Sequence, residues 1–351
     1  MSIKFLHHKT GITFILLVIL CVHKDCLIAQ GADKNAVLKY LSGLSEKQSG
    51  RLISGQFESW GSAVKPLDDE ENYLNLVHRK TGKWVGLVGA EYHNGTQVHY
   101  EGANQLFERY WEEGGFCQLY LIMSNPSDST SFNGGGRCDL KLVSRPGHAF
   151  NRYFYRELDQ VAEGLKQLQK KHVVVFLNMF PEATADWFWW GGQHEADFIA
   201  LYRNAYDYLV TTKGLDNLLF IYEPCAGDNL ALKYYPGDKY VDIIGFSLFT
   251  DYDKEIDSFS IRSYREMEKT GKPMGISQWG PRRGKDQTGS VDQPPADNLK
   301  LLRGIQKYFP KIVWWMNWNC AYSISNEQNS NYNGSALLNQ EWVTMVRYKI
   351  I

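Results

Sequence analysis

Eight short apolar runs alternating with helix-length amphipathic stretches predict an α/β fold, a (β/α)8 TIM barrel. The apolar runs are residues 52–57, 84–90, 116–123, 173–180, 218–222, 241–249, 274–277 and 312–318, each of strand length and rich in branched or aromatic side chains. The clearest stretches between them, residues 103–113, 150–171, 196–212, 260–270 and 298–309, carry charges on one face at helical spacing. Alternation of this kind indicates a parallel sheet, and a count of eight points to closure. An open doubly wound sheet is disfavoured because no glycine-rich phosphate loop follows any run. Without repeats, low-complexity tracts or long linkers, residues 31–351 are expected to form a single domain.

Lys plus Arg number 38 against 39 Asp plus Glu, a formal net charge of -1. Nucleic acid and anionic membrane surfaces select for a basic excess, so neither is expected as a partner. Aromatic residues reach 14% of the chain, with 11 Trp and 21 Tyr. Such rings serve either the core or the flat faces of sugars, and position has to decide between them. At the N-terminus, Lys4 and Lys9 precede an uncharged apolar run over residues 12–22. Residues 1–30 therefore read as a signal peptide, the run being too short for comfortable membrane spanning. Leu20 and Asp25 stand before Cys21 and Cys26 where a lipoprotein would have a small residue. A secreted or periplasmic monomer is expected. Cys117, Cys138, Cys225 and Cys320 remain, and four cysteines allow three pairings. Cys117–Cys138, bracketing one strand and its loop, is the first pair to test. No CxxC or His/Cys cluster occurs, so neither a metal nor a cofactor is expected.

In a barrel of this kind chemistry sits where strands run into the loops that follow them. Those positions hold Glu58-Ser59-Trp60, Glu91-Tyr92-His93, Ser124-Asn125-Pro126, Pro181-Glu182, Glu223-Pro224, Thr250-Asp251-Tyr252-Asp253, Gln278-Trp279-Gly280 and Trp318-Asn319. Carboxylates and aromatics crowd together there, as a carbohydrate site requires. The bland alternative for any one of these acids is solvation or an ion pair, with Arg203 a candidate partner for Glu223.

Pro181-Glu182, a four-residue spacer and Trp187-Phe188-Trp189-Trp190-Gly191 resemble the acid/base segment of glycoside hydrolase family 26, the β-mannanase family. Gly114-Gly115, Asn125-Pro126, the run Lys213-Gly214-Leu215-Asp216-Asn217-Leu218-Leu219, and the block from Tyr234 to Gly245 are similar to other landmarks of that family in order and spacing. The resemblance implies a barrel that hydrolyses β-linked polysaccharide, with two Glu about 5–5.5 Å apart and retention of anomeric configuration. It assigns Glu182 to the acid/base.

Departures from the pattern are substantial. The nucleophile position is Gln278, in Ser277-Gln278-Trp279-Gly280. An amide is nearly isosteric with a carboxylate but forms no glycosyl ester. The family's two histidines are replaced by Pro181 and Ile122, its Arg by Asn178, and its Asp-x-Tyr by Ser247-Leu248-Phe249. Two readings follow. In one, hydrolysis persists with Glu182 as acid/base and a relocated second carboxylate, Glu223 first and Glu91, Glu58 or Asp251 behind it. In the other, the barrel binds glycan without turnover. In both, Trp60, Trp187, Trp189, Trp279 and Trp318 are expected to line the sugar, with Glu91 beside them.

Overall fold

The computed structural model describes residues 33–128, 134–251, 254–282, 295–324 and 331–344. The expected signal segment 1–30 and the strand-end Tyr252-Asp253 lie outside them. Eight strands form a closed parallel barrel: β1 Gly55–Trp60, β2 Leu87–Glu91, β3 Phe116–Tyr120, β4 Val175–Asn178, β5 Leu218–Tyr222, β6 Ile243–Asp251, β7 Met274–Arg282 and β8 Ile312–Asn317. Each strand pairs with the next, and β8 returns to β1 through Asn317 opposite Gln56. A (β/α)8 barrel is thus the observed fold.

The helices form because their apolar positions recur on one face and their ends are satisfied. Helix α1, Lys34–Leu44, is capped by Asp33, whose carboxylate accepts from Ala36 N at 2.9 Å, and it buries Val37, Leu41 and Leu44. Helix α2, Tyr73–Thr81, starts at Asn72, which accepts from Leu74 N and Asn75 N, and stops at left-handed Gly82. Helix α3, Glu101–Glu112, and helix α4, Ala149–Lys170, agree with the sequence expectation to within two residues. Helix α5, Glu195–Asp207, is shorter than expected because residues 208–212 widen into a single π turn. Helix α6, Leu299–Tyr308, completes the outer ring.

Inside the barrel, packing is set by aromatic bulk against glycine. Trp314 and Trp315 on β8 are fully buried. A Cβ placed on Gly275 of β7 would lie 2.0 Å from the Trp314 ring, so only glycine lets that indole cross the barrel. Strand β7 runs to Arg282 rather than ending at Ser277, because its pairing with β6 continues through Arg282 opposite Asp251. The register slips between Gly275 and Gln278, a bulge that re-aims the side chains beyond it.

The expected Cys117–Cys138 disulfide is not formed, and all four described cysteines are free thiols. Cys117 lies in the core with its thiol on Phe107 O of α3 at 3.5 Å. Cys138 sits in the loop before residues 140–143, where Gln193 Nε2 donates to its carbonyl.

Candidate active site at the barrel mouth

Glu182 follows β4 in a left-handed conformation, φ 54°, which a side chain with a Cβ adopts rarely and at a cost of about 1–3 kcal/mol. The surroundings hold it there. Its backbone N–H donates to Glu223 Oε1 at 3.1 Å, and Ala183 N donates to the Glu223 carbonyl at 2.9 Å. Its carboxylate accepts from the Trp187 indole on one oxygen and from the Ser247 hydroxyl on the other. Both donors fix the carboxyl group at the end of the strand.

The aromatic run behind Glu182 divides by depth. Trp190 Nε1 donates to Pro181 O and Trp189 Nε1 to Met123 O, both at 2.9 Å, which pins the loop to β3 and β4. Trp189 is fully buried, with Phe154, Phe180 and Trp190 edge-on around it. It is a packing residue, which corrects the expectation that it faces sugar. Trp187 is 50% exposed and remains a candidate platform. Trp60, at the end of β1, is exposed as well, while Trp318 is half-buried and stacks on Phe57 with centroids 3.8 Å apart. Trp279 is buried and ties β7 to β8 through its carbonyl, which accepts from Trp318 N, so it too is corrected from platform to packing.

Glu223 is central but enclosed. Its side chain is 0% exposed. One oxygen accepts from Asn178 Nδ2 at 2.8 Å and from the Ser277 hydroxyl, the other from Gln278 Nε2 at 2.8 Å and from Glu182 N. Desolvation, with Glu182 nearby as a second cause, pushes its carboxyl pKa up to about 8 against the hydrogen bonds that favour ionisation. The alternative ion pair with Arg203 is absent, since that guanidinium donates to Pro236 O and stacks on Tyr240. Behind the cluster, the Ser277 carbonyl accepts from the Tyr120 hydroxyl and from Gln118 Nε2 at 3.3 Å, tying β7 across the barrel to β3.

The other strand-end acids have structural work. Glu58 accepts from Tyr73 N at 2.7 Å, anchoring the start of α2, and burial raises its pKa to about 7. Glu91 accepts from Ile122 N at 2.8 Å, the very residue that stands where the family has a histidine. Burial raises its pKa well above the usual range. Next to it His93 lies 2.7 Å from Glu157, whose carboxylate also accepts from Ser124 N. Asp251 is partly exposed and pairs with Lys254. Sequence reasoning missed Ser247 and Ser277 as carboxylate donors and Glu157 as the partner of His93. Ser247 carried a signal, because it stands where the family resemblance places an Asp on β6.

Glu182, Gln278 and Glu223 are therefore brought together, while Glu58 and Glu91 are committed elsewhere. Among the described residues no group of three or more His, Cys, Asp or Glu could hold a metal ion, and no helix is long and apolar enough to cross a membrane.

Comparison with known proteins gives the family of the chain. The model of glycosyl hydrolase family 26 matches residues 30–346. A mannan endo-1,4-beta-mannosidase of Bacillus subtilis is 27% identical over 332 residues, covering 89% of this chain and 87% of its own length. A protein of the same name from Thermothelomyces thermophilus is 33% identical over 315 residues, covering 85% of this chain and 60% of its own. A solved Bacillus subtilis mannanase shares the fold with a TM-score of 0.76 at 24% identity, covering 91% of this chain and 94% of that one. The chain is a mannanase-like member of glycosyl hydrolase family 26.

Proposed function

We propose that residues 31–351 act as one secreted unit, after removal of residues 1–30, on a β-linked polysaccharide, β-1,4-mannan first. In this reading Glu182 is the general acid/base and no glycosyl–enzyme ester forms. The observation that carries it is the placement of Glu182: its carboxylate is held at the strand end by Trp187 and Ser247. Glu182 gives its proton to the leaving oxygen. Water attacks the anomeric carbon from the opposite face, where Gln278 offers a neutral acceptor. The water's second proton passes to solvent, from which Glu182 is reprotonated. Such a route inverts the anomeric centre, unlike the double displacement of retaining relatives.

A second reading, glycan binding without turnover, is favoured by the enclosure of Glu223. A carboxylate with no exposed surface does not reach a substrate water, so the relocated base expected at that position is weakened. Incubation with β-mannan, β-glucan and xylan, scoring both new reducing ends and retention on the glycan, separates the two. Turnover abolished by Glu182→Ala supports hydrolysis. Retention without turnover, with hydrolysis appearing only in Gln278→Glu, supports the binder. Neither turnover nor retention on any of the three defeats both.

A further inference from the structure

We propose that Glu223 is a positioning residue: it turns the Gln278 amide so that the carbonyl oxygen, not the NH2 group, is offered to a glycan hydroxyl. This rests on the reading of the barrel mouth as a glycan site. One donor in this cluster does not reverse. The backbone N–H of Glu182 points at Glu223 Oε1 from 3.1 Å. A peptide N–H only donates, so Oε1 is an acceptor whether or not the carboxyl group carries a proton. Gln278 meets that same oxygen at 2.8 Å and faces it with Nε2.

The other carboxyl oxygen is the one free to carry a proton. Its neighbours are the Ser277 hydroxyl, which rotates, and the Asn178 amide, whose buried Oδ1 has no hydrogen-bond partner and accepts once the amide flips. Ionised, or neutral with its proton on Oε2, Glu223 therefore imposes one orientation on Gln278. Its amide oxygen is directed away from Glu223, and among the described residues no donor meets it. Where a retaining enzyme holds an anionic oxygen, this chain holds a fixed neutral acceptor that matches a sugar O–H.

Two measurements test this. In the first, protein labelled with 15N at glutamine is compared as wild type, Glu223→Gln and Glu223→Ala, with Gln278→Leu identifying the Gln278 side-chain signal. The Gln278 NH2 pair should be slow to exchange in the wild type and in Glu223→Gln, and should exchange freely in Glu223→Ala. This readout needs no glycan. An unprotected NH2 pair in the wild type overturns the proposal even if glycan binding is found.

In the second, mannohexaose affinity is measured by calorimetry. Glu223→Ala should weaken binding by about tenfold, one hydrogen bond's worth, and Glu223→Gln should restore most of it. Adding Gln278→Ala to Glu223→Ala should cost less than about threefold more, because the two residues act as a unit. Independent, additive losses contradict the proposal, as does a Glu223→Gln loss as large as that of Glu223→Ala, which would mean that the charge itself is needed. Absence of mannohexaose binding in the wild type defeats the glycan reading, and the exchange measurement then decides whether Glu223 orients Gln278.

Discussion

The loop after β4 and the strand ends of β5 to β7 face the same mouth but have been treated differently. After β4 stand the proposed acid/base carboxyl and an aromatic run that resembles the family's. Glu182 takes a rare left-handed backbone, and Trp187, Trp189 and Trp190 anchor or flank it. Across β5 to β7 the position that the family resemblance gives to the nucleophile holds the amide of Gln278, Ser247-Leu248-Phe249 stand in place of Asp-x-Tyr, and Glu223 lies beneath without access to solvent. Glu182 at the mouth, the carboxylate proposed to do chemistry, keeps 8% of its surface exposed. The same group on the neighbouring strand end, bonded by Gln278 and Ser277 and without exposed surface, organises its neighbours instead. That residual exposure, against none for Glu223, separates the two proposed roles where residue type does not.

The sharpest way to break that contrast is to remove Glu182. Glu182→Ala should lower any turnover of β-mannan by about 10²–10⁴-fold, the usual contribution of a positioned general acid, read as reducing ends. Next comes the aromatic run. Trp189→Ala should cost about 3–5 kcal/mol of stability in denaturant unfolding, since it empties a packed indole site. Trp187→Ala, at half-exposed surface, should shift stability much less and act on glycan retention instead. Equal effects of the two would dissolve the division between core and platform.

A smaller effect concerns pH. Glu223 and Glu58 are raised from 4.5 to about 8 and about 7. Between the unfolded and folded values the native state binds more protons than the unfolded chain. Stability should therefore be highest below about pH 4.5 as far as these two groups are concerned, and should fall as pH rises toward 7 and 8. Thermal unfolding across that range checks the sign, and Glu223→Gln should flatten its upper part. The smallest effect is expected at Trp60, where Ala should leave the unfolding temperature nearly unchanged and reduce only glycan retention.

Much of the barrel was legible because strand-length apolar runs and helical spacing repeat without interruption. All eight strands occur where the apolar runs fall, with shifted ends. The miss at β7 has a physical cause: the pairing past Ser277 involves Trp279, Gly280 and Pro281, residues that individually argue for a turn. Helix α2 went unread because its stripe is only Leu74 and Val77, and its start depends on Glu58 from another segment. In the site, Glu182, Gln278 and Glu223 were identifiable from motif and strand position. Their roles were not, since burial of Glu223 and the donors from Ser247 and Ser277 arise from strands far apart in sequence. Trp189 and Trp187 are two residues apart in one motif, and only depth tells them apart.

The central claim is that the mouth keeps a working acid/base carboxyl while the nucleophile's place has become a neutral, fixed acceptor. The most direct test is intact-mass analysis after incubation with a 2-deoxy-2-fluoro-β-mannosyl fluoride, which traps glycosyl esters on a nucleophilic carboxylate. Wild type should gain no glycosyl mass, and Gln278→Glu should gain one, mapping to position 278. A glycosyl adduct on the wild type, at Glu223 or any other carboxylate, would contradict the account.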